Sequence, residues 1–192
     1  MRPLILRLDI SGQPLGWVQW QDAAVLYMIG KVVWTAGEKV LCIRGGRNRF
    51  TNQQTVMNIH SIVACRGMTA VNKFSLVPPL NNRELFRRDR HMCLYCLDLL
   101  PDDKLTRDHV HPISRGGSNN WTNVVTACRP CNEKKGARTP DEANMKLHAV
   151  PYPPNFAEWL TLRNRRILAD QMAFLKTRFV ARHERHLFRG PK

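Results

Sequence analysis

The sequence contains no long apolar run. None of its hydrophobic stretches approaches the roughly 18 residues of a membrane-spanning helix. The opening stretch MRPLILRLDISGQ has only a short apolar patch, which Arg7 and Asp9 interrupt. We therefore expect neither a membrane span nor a secretory signal, and a cytoplasmic protein. A hydrophobic fraction of 43% also argues against a wholly disordered chain.

Acidic residues are scarce as well. The 192 residues include 15 Asp and Glu against 30 Lys and Arg, which gives a formal net charge of +15. The sequence pI is near 10.3. Such an imbalance indicates a polyanionic partner, with nucleic acid as the first expectation and an anionic membrane surface as the second. A surface selected only for solubility is the alternative interpretation.

The positive excess lies in both flanks of the chain. Residues 1–80 carry nine basic and three acidic residues, residues 81–132 eight and six, and residues 133–192 thirteen and six. The sequence thus has a nearly neutral centre between two basic arms. Its length fits one compact domain, or a small module with appendages.

Cysteine use indicates a metal site in that centre. Two Cys-x-x-Cys pairs, CLYC (Cys93, Cys96) and CRPC (Cys128, Cys131), are separated by 31 residues. A single pair is compatible with redox chemistry, but two pairs in one short segment favour a four-thiolate zinc site. Metal binding supplies on the order of 10 kcal/mol of folding free energy in small modules. Four thiolates leave the ion no open position, so we expect a structural zinc and not a catalytic one.

The interval between the pairs predicts a β-loop-β-α arrangement. LTRDHV and WTNVVTA have the pattern of short strands, and ISRGGSNN is typical of a loop. RPCNEKKG can form a helix, with Pro130 in its first turn and Gly136 at its end. The remaining two cysteines, Cys42 and Cys65, are expected to be buried as small hydrophobic residues.

The ordered string CLYC…DHVHPISRGG…NNWTNVVTACRPCNEKKG resembles the HNH endonuclease family, in the branch with a four-cysteine zinc site. The resemblance covers about residues 83–147. It implies an α+β fold built on a zinc-stapled ββα-metal core, treble-clef-like in form. PLGWVQWQDAAVLYMIGKVVW is similar, more weakly, to the N-terminal region of many free-standing bacterial HNH proteins.

The resemblance also implies roles for four residues. His109 resembles the general base that takes a proton from the attacking water, and an imidazole with its ordinary pKa suits that task. Asp108 resembles a ligand of the catalytic metal. Asn123 resembles the side chain that braces the loop of the base. Asn132 stands where the family has its second metal ligand, so this sequence has the His-Asn-Asn variant of the motif.

Two oxygen ligands favour a hard cation. Asp108 and Asn132 would both offer oxygen, which suits Mg²⁺ or Mn²⁺. The resemblance then implies one catalytic ion beside one structural zinc, and cleavage that leaves 5′-phosphate and 3′-hydroxyl ends.

Other polar residues near the motif have two interpretations each. His111 either assists the metal or phosphate or has a structural role, which we favour. Five basic residues either contact the nucleic-acid backbone or belong to an ordinary solvated surface. They are Lys134, Lys135, Arg115, Arg107 and Arg138.

The N-terminal flank, residues 1–80, predicts a small α+β unit. PLILRLDI and WVQW alternate like strands, QDAAVLYMIGK resembles a short helix, and KVVWTAG and EKVLCIRGG indicate two further strands. The basic loop IRGGRNRFTN either meets a phosphate backbone or is a plain hairpin loop.

The C-terminal flank, residues 148–192, predicts a helical extension. FAEWLTLRNRRILADQMAFLKTRFVARHERHLF indicates one long helical region, preceded by a short helix in TPDEANMKL. Its apolar stripe would pack on the rest of the chain or form a homodimer, and its basic face predicts contact with DNA over contact with a membrane. The stripe comprises Trp159, Leu162, Ile167, Leu168, Met172, Leu175 and Phe179. The basic face comprises Arg163, Arg165, Arg166, Lys176, Arg178, Arg182 and Arg185.

Together these patterns predict a metal-dependent DNA endonuclease. Its domains would be an N-terminal unit (1–80), a nuclease module (81–147) and a basic extension (148–192). A zinc-dependent nucleic-acid-binding module without cleavage is the main alternative, and a nuclease acting on RNA is the other.

Overall fold

The chain forms two compact units. The computed structural model describes residues 2–67, 77–164 and 166–180. One unit, the sheet unit, consists of Met1–Leu76 and Arg163–Arg178, and the other consists of Val77–Leu162 with the chain from Phe179 onward. Residues 163–178, which the sequence analysis grouped with the C-terminal extension, thus belong to the sheet unit.

In its described residues, the sheet unit contains four strands and two helices. Its elements are β1 (Ile5–Asp9), β2 (Pro14–Val18), α1 (Trp20–Met28), β3 (Val32–Arg47), β4 (Gln54–Cys65) and α5 (Ala169–Lys176). The strand order is β2-β1-β4-β3. Only the β1–β4 pair is parallel. One apolar face of the sheet packs with α1 around Ile5, Ala23, Ile59 and Val63, because alternate residues of a strand share a face.

Two expectations for this unit were wrong. KVVWTAG and EKVLCIRGG are one continuous strand of 16 residues, because Gly37 produces an irregularity in the ladder and not a turn. Gly37 has φ +72°, and a Cβ there would collide with Ser61 Oγ and Asp170 Oδ2. Cys65 is buried as expected, but Cys42 is exposed, since it lies on the face of β3 opposite to the core residues Leu41 and Ile43.

The second unit contains the predicted β-loop-β-α arrangement. Its elements are α2 (Asn82–Arg88), β5 (Leu105–His109), β6 (Val124–Cys128), α3 (Arg129–Lys135) and α4 (Phe156–Arg163, whose last residue is assigned to the sheet unit). Strands β5 and β6 form an antiparallel pair, in which Asp108 faces Val125 and His109 faces Val124. Pro130 lies in the first turn of α3, and Gly136 follows its last residue. The α+β class and the ββα core are thus confirmed.

A buried arginine links α2 to the hairpin. Arg88 is 2% exposed, and all five of its N–H groups donate hydrogen bonds. Two go to the carboxylate of Asp89, and three go to the carbonyls of Trp121, Val124 and Tyr152. The Asp89 carboxylate also accepts from Thr126 N at 2.7 Å. This network satisfies a charge that burial alone would destabilise.

The predicted helix in TPDEANMKL is absent. Thr139 N donates to Glu142 Oε2 and Glu142 N donates to Thr139 Oγ1, so the start of a helix is present. Only one turn forms, because Asn144 adopts φ +52°, outside the helical range. The local capping signals therefore correctly predicted the first turn of a helix, but the chain does not continue that helix.

The predicted long C-terminal helix is also wrong. Helices α4 and α5 are separate, each of eight residues, with residues 164–168 between them. Asn164 Oδ1 accepts from Arg166 N at 3.0 Å, and this local bond competes with a continuous helix. The apolar stripe is therefore not continuous, because Trp159 and Leu162 lie on α4, Met172 and Leu175 lie on α5, and Ile167, Leu168 and Phe179 lie outside both helices. Of the basic face, Arg165, Arg182 and Arg185 lie outside the described residues.

Within the described ranges, no helix combines the length and the apolar character that crossing a bilayer requires.

Candidate active site and zinc site

The four cysteines of the two Cys-x-x-Cys pairs converge. Cys93 and Cys96 lie in the knuckle after α2, while Cys128 ends β6 and Cys131 lies in the first turn of α3. Their sulfur atoms all lie within 4.8 Å of one another. Zn–S bonds of about 2.3 Å in a tetrahedron place the sulfurs roughly 3.8 Å apart, and Cys96 Sγ and Cys128 Sγ are 3.9 Å apart. The cluster thus fits a structural zinc ion that fastens the hairpin and α3 to the knuckle.

The backbone around Cys93 favours its thiolate form. Burial raises the pKa of the Cys93 thiol. Backbone hydrogen bonds from Cys96, Cys128 and Tyr95 together lower this pKa by a larger amount, so the net pKa is below its usual value. Burial raises the pKa values of the Cys96 and Cys131 thiols, so zinc binding would have to displace the protons of these two sulfurs.

Asp108 is a buried carboxylate at the end of β5. Its side chain is 5% exposed, and both of its oxygens accept hydrogen bonds. The Tyr95 hydroxyl donates to Oδ2 at 2.5 Å, and Lys135 Nζ donates to Oδ1 at 3.0 Å. Burial and the neighbouring Asp108 charge both raise the pKa of Tyr95, which keeps the hydroxyl protonated as a donor. Sequence reasoning missed this role of Tyr95, and its only signal is a hydroxyl-bearing aromatic residue inside the CLYC knuckle.

Lys135 joins the two residues of the Asp-His pair. Besides its bond to Asp108, its Nζ donates to the backbone carbonyl of His109 at 2.7 Å. Its side chain is 1% exposed. The structure therefore places Lys135 inside the module, where its ammonium holds Asp108 and the backbone of His109 together. The neighbouring Lys134 is exposed.

His109 ends β5 with its ring fixed by an asparagine. Its Nε2 lies 3.1 Å from Asn119 Oδ1, which also accepts from Arg107 at 3.0 Å. Because an amide oxygen only accepts, this contact requires the proton on Nε2 and leaves the lone pair of the neutral ring on Nδ1. Asn119 looked like an ordinary loop residue in the sequence.

Asn123 braces the loop that follows His109. Its Oδ1 accepts from His111 N at 2.8 Å, and its Nδ2 donates to the carbonyls of His111 and Ser118. The same loop requires Gly117, because a Cβ there would collide with the His111 carbonyl. His111 takes part in this bracing through its backbone, and its residue is exposed.

Asn132 lies on α3 beside β5. Its Nδ2 donates to Thr106 Oγ1 at 2.8 Å and to the Arg107 carbonyl at 3.3 Å. These two bonds use both amide hydrogens and leave Oδ1 as the atom that can bind a cation. Asp108, His109 and Asn132 line one cleft of about 310 Å³. The three residues that the sequence assigns to water activation and metal binding are thus brought to one place.

Three of the other predicted phosphate contacts have partners within the module. Arg107 donates to Asn119, as described. Arg115 forms an exposed ion pair with Glu142 at 2.6 Å. The backbone hydrogen bond from Thr139, and after it the contact with Arg115, lower the pKa of Glu142. Arg138 donates to the carbonyls of Lys134 and Lys135.

Comparison with known proteins agrees with this geometry. Residues 93–148 match the family model of the HNH endonucleases. The resemblance to the zinc-binding branch of that family is confirmed for this segment, here called the HNH module, by the match together with the cysteine cluster. A nuclease-type function follows for the HNH module in general terms. No curated protein matches the chain.

Proposed function

We propose that the HNH module is a metal-dependent DNA endonuclease. The observation that carries this proposal is the cleft in which Asp108, His109 and Asn132 meet. A base, a carboxylate and an amide oxygen in one polar cleft are the groups that metal-assisted phosphodiester hydrolysis needs. The zinc cluster has four thiolates and no open position, so it would serve the fold alone.

His109 would activate the attacking water. Nδ1 is the nitrogen that can accept a proton, since Nε2 faces the oxygen of Asn119. The imidazole needs this fixed orientation, because general-base catalysis depends on reach as well as on proton affinity. Asn119 holds the ring, and Asn123 holds the loop behind it.

Asp108 and Asn132 would hold the catalytic cation. Each carboxylate oxygen of Asp108 retains a second lone pair beside the hydrogen bond that it accepts, and Asn132 offers Oδ1. This all-oxygen set fits Mg²⁺ or Mn²⁺. The chemistry that such an ion supplies when bound is polarisation of the scissile phosphate and stabilisation of charge on the leaving 3′ oxygen.

The positive charge of Lys135 would compensate the negative charge of Asp108. Its ammonium neutralises Asp108 and lies within the same cleft. We assign it to positioning of the Asp-His pair, and we assign the phosphate contacts to the exposed Lys134 and to Arg107, Arg115 and Arg138. DNA as the substrate is supported by the net charge of +15.

A plasmid-cutting assay with Mg²⁺ or Mn²⁺ tests this function. His109→Ala should lower the cutting rate by about two to four orders of magnitude, because general-base catalysis typically contributes that much. His148→Ala, which removes an exposed histidine elsewhere in the HNH module, should cut at the unaltered rate. Cutting that does not require metal, or that persists in His109→Ala, would contradict the proposal. Faster cleavage of a matched RNA would instead favour the RNA alternative.

A further inference from the structure

The hairpin between β3 and β4 extends beyond its hydrophobic core. Residues 44–56, here called the ribbon tip, are all exposed. Closer to the sheet, Leu41, Ile43 and Met57 pack against the core cluster. The base of the hairpin is thus explained by apolar burial, but the ribbon tip is not.

The charge of this hairpin has one sign. Between residues 39 and 58 the chain has four basic residues, Lys39, Arg44, Arg47 and Arg49, and no Asp or Glu. All four are exposed. Surface charges are commonly interspersed with the opposite sign, which limits self-repulsion. A ribbon without any acidic residue therefore matches a polyanion.

The ribbon tip is held by its own hydrogen bonds. Asn48 Oδ1 accepts from Phe50 N and Thr51 N, Asn48 N donates to the Gln53 carbonyl, and Asn52 N donates to the Asn48 carbonyl. This closed turn fixes the backbone that carries Arg47 and Arg49. A preformed surface loses less conformational entropy on binding than a flexible loop would.

The shape of the ribbon tip suits a groove. Gly45 and Gly46 add no side chains to its flank, and Phe50 is 95% exposed at its end. Two paired strands lie about 4.8 Å apart, and a two-stranded ribbon fits the major groove of B-DNA, which is about 12 Å wide. A membrane surface would need a broader apolar face than Phe50 and Val56 provide.

We propose that the ribbon tip is a second DNA-binding surface, separate in sequence from the HNH module. Arg44, Arg47 and Arg49 would contact phosphates on the two sides of a groove that the tip enters. The proposal rests on the proposed function only in taking DNA as the substrate. The ribbon tip would be a DNA contact in addition to those of the nuclease motif.

Salt-dependent binding of a fluorescent 20-base-pair duplex tests this proposal. The full chain carrying His109→Ala is used, so that cleavage does not interfere. Each phosphate contact adds about 0.9 to the slope of log K against log salt concentration. Adding Arg44→Gln and Arg49→Gln should therefore lower the slope by about 1.8 and weaken binding. Adding Lys31→Gln and Arg66→Gln, which removes two exposed charges elsewhere in the sheet unit, should leave the slope within about 0.5 of the parent, since non-contacting charges release few counterions.

Two outcomes would overturn the proposal. One is an equal change in slope for the two double variants, which would show that the arginines of the ribbon tip act no differently from other surface charges. The other is unchanged duplex binding combined with loss of binding to anionic lipid vesicles, which would assign the tip to a membrane. Arg49→Gln alone, with an expected slope change of about 0.9, serves if the double variant unfolds. Failure of the nuclease proposal would appear separately, as absence of plasmid cutting by the protein with His109 intact.

Discussion

The chain region 77–162, which contains the HNH module, and the sheet unit differ in the charges that they bury. Among the described residues, the chain region 77–162 buries six charged side chains, while the sheet unit buries one, Asp9. The six are Glu84, Arg88, Asp89, Asp108, Lys135 and Glu158. Both regions also bury apolar side chains, such as Ile5, Leu6 and Val63 in the sheet unit and Leu85, Val124 and Val125 in the region 77–162.

This contrast follows from what each region must hold. The module has to keep a carboxylate and an imidazole in fixed positions, and fixed polar groups need buried partners. Each buried charge carries a desolvation cost, which its hydrogen-bonded partners offset only in part. A metal ion bound by the four cysteines would add stability to this region, whereas the described residues of the sheet unit offer no such cluster.

The largest difference between the HNH module and the sheet unit is expected when the zinc site is removed. Cys93→Ser removes one of four ligands and thereby much of the roughly 10 kcal/mol that a structural zinc contributes, which is comparable with the stability of a whole domain. The HNH module should unfold while the sheet unit remains folded. Amide hydrogen exchange read by mass spectrometry, together with zinc content, measures both units in one experiment.

The matched control is Cys42→Ser, an exposed cysteine on β3. It should leave the zinc content and the exchange pattern unaltered. Equal loss of protection in both units after Cys93→Ser would show that they do not differ in their dependence on zinc.

The parts of the fold that the sequence predicted are those set by local signals. Strands β5 and β6 and helix α3 follow from short-range patterns, and the cysteine spacing brings the knuckle to α3. The network of Arg88 could not be predicted, because its partner carbonyl on Tyr152 is 64 residues away. In the sequence this arginine is one of several in the stretch NNRELFRRDR.

The parts that failed involve competition between local signals. The segment before α5 has helical composition, but the Asn164 side chain forms a bond with Arg166 N that a continuous helix would not allow. Likewise, the TAGE stretch looked like a turn, and the close approach of Ser61 and Asp170 to Gly37 is a tertiary contact that no local pattern records. In the site, the role of Tyr95 was missed and Lys135 was expected at the surface for the same reason, because burial decides their partners.

A smaller effect, confined to the HNH module, is expected from loss of the Tyr95 hydroxyl. Tyr95→Phe keeps the buried ring and removes the donor to Asp108 Oδ2. A hydrogen bond to a charged group contributes about 1.5–3 kcal/mol, so we expect a fall in cutting rate of about tenfold or more at limiting metal. More Mn²⁺ should be needed for half-maximal cutting, and zinc content should not change.

Tyr152→Phe is the control for this variant, because it also removes a hydroxyl from a buried tyrosine of the same region. Its metal requirement should equal that of the parent protein. A shift of the same size in both variants would attribute the effect to general loosening of the region and not to the orientation of Asp108.

The smallest effect is expected in the sheet unit, at Asp170. Burial raises the pKa of this carboxyl, but hydrogen bonds from Ser61 Oγ and from the backbone N–H groups of Glu38 and Gln171 lower it more, so the net pKa is below its usual value. A lowered folded-state pKa stabilises the unit at pH values above the unfolded pKa, near 4, and this stabilisation disappears as the pH falls through the folded pKa. Asp170→Asn should therefore cost about 1 kcal/mol at pH 7 and progressively less toward pH 2. The stability of β3 and β4 is measured by urea titration at each pH, followed by amide-exchange pulses under fixed labelling conditions.

The control is Glu38→Gln, which retains the backbone N–H that donates to Asp170. The cost of this substitution should therefore not change with pH. A cost for Asp170→Asn that stays constant from pH 7 to pH 2 would mean that the carboxylate charge does not stabilise the sheet unit.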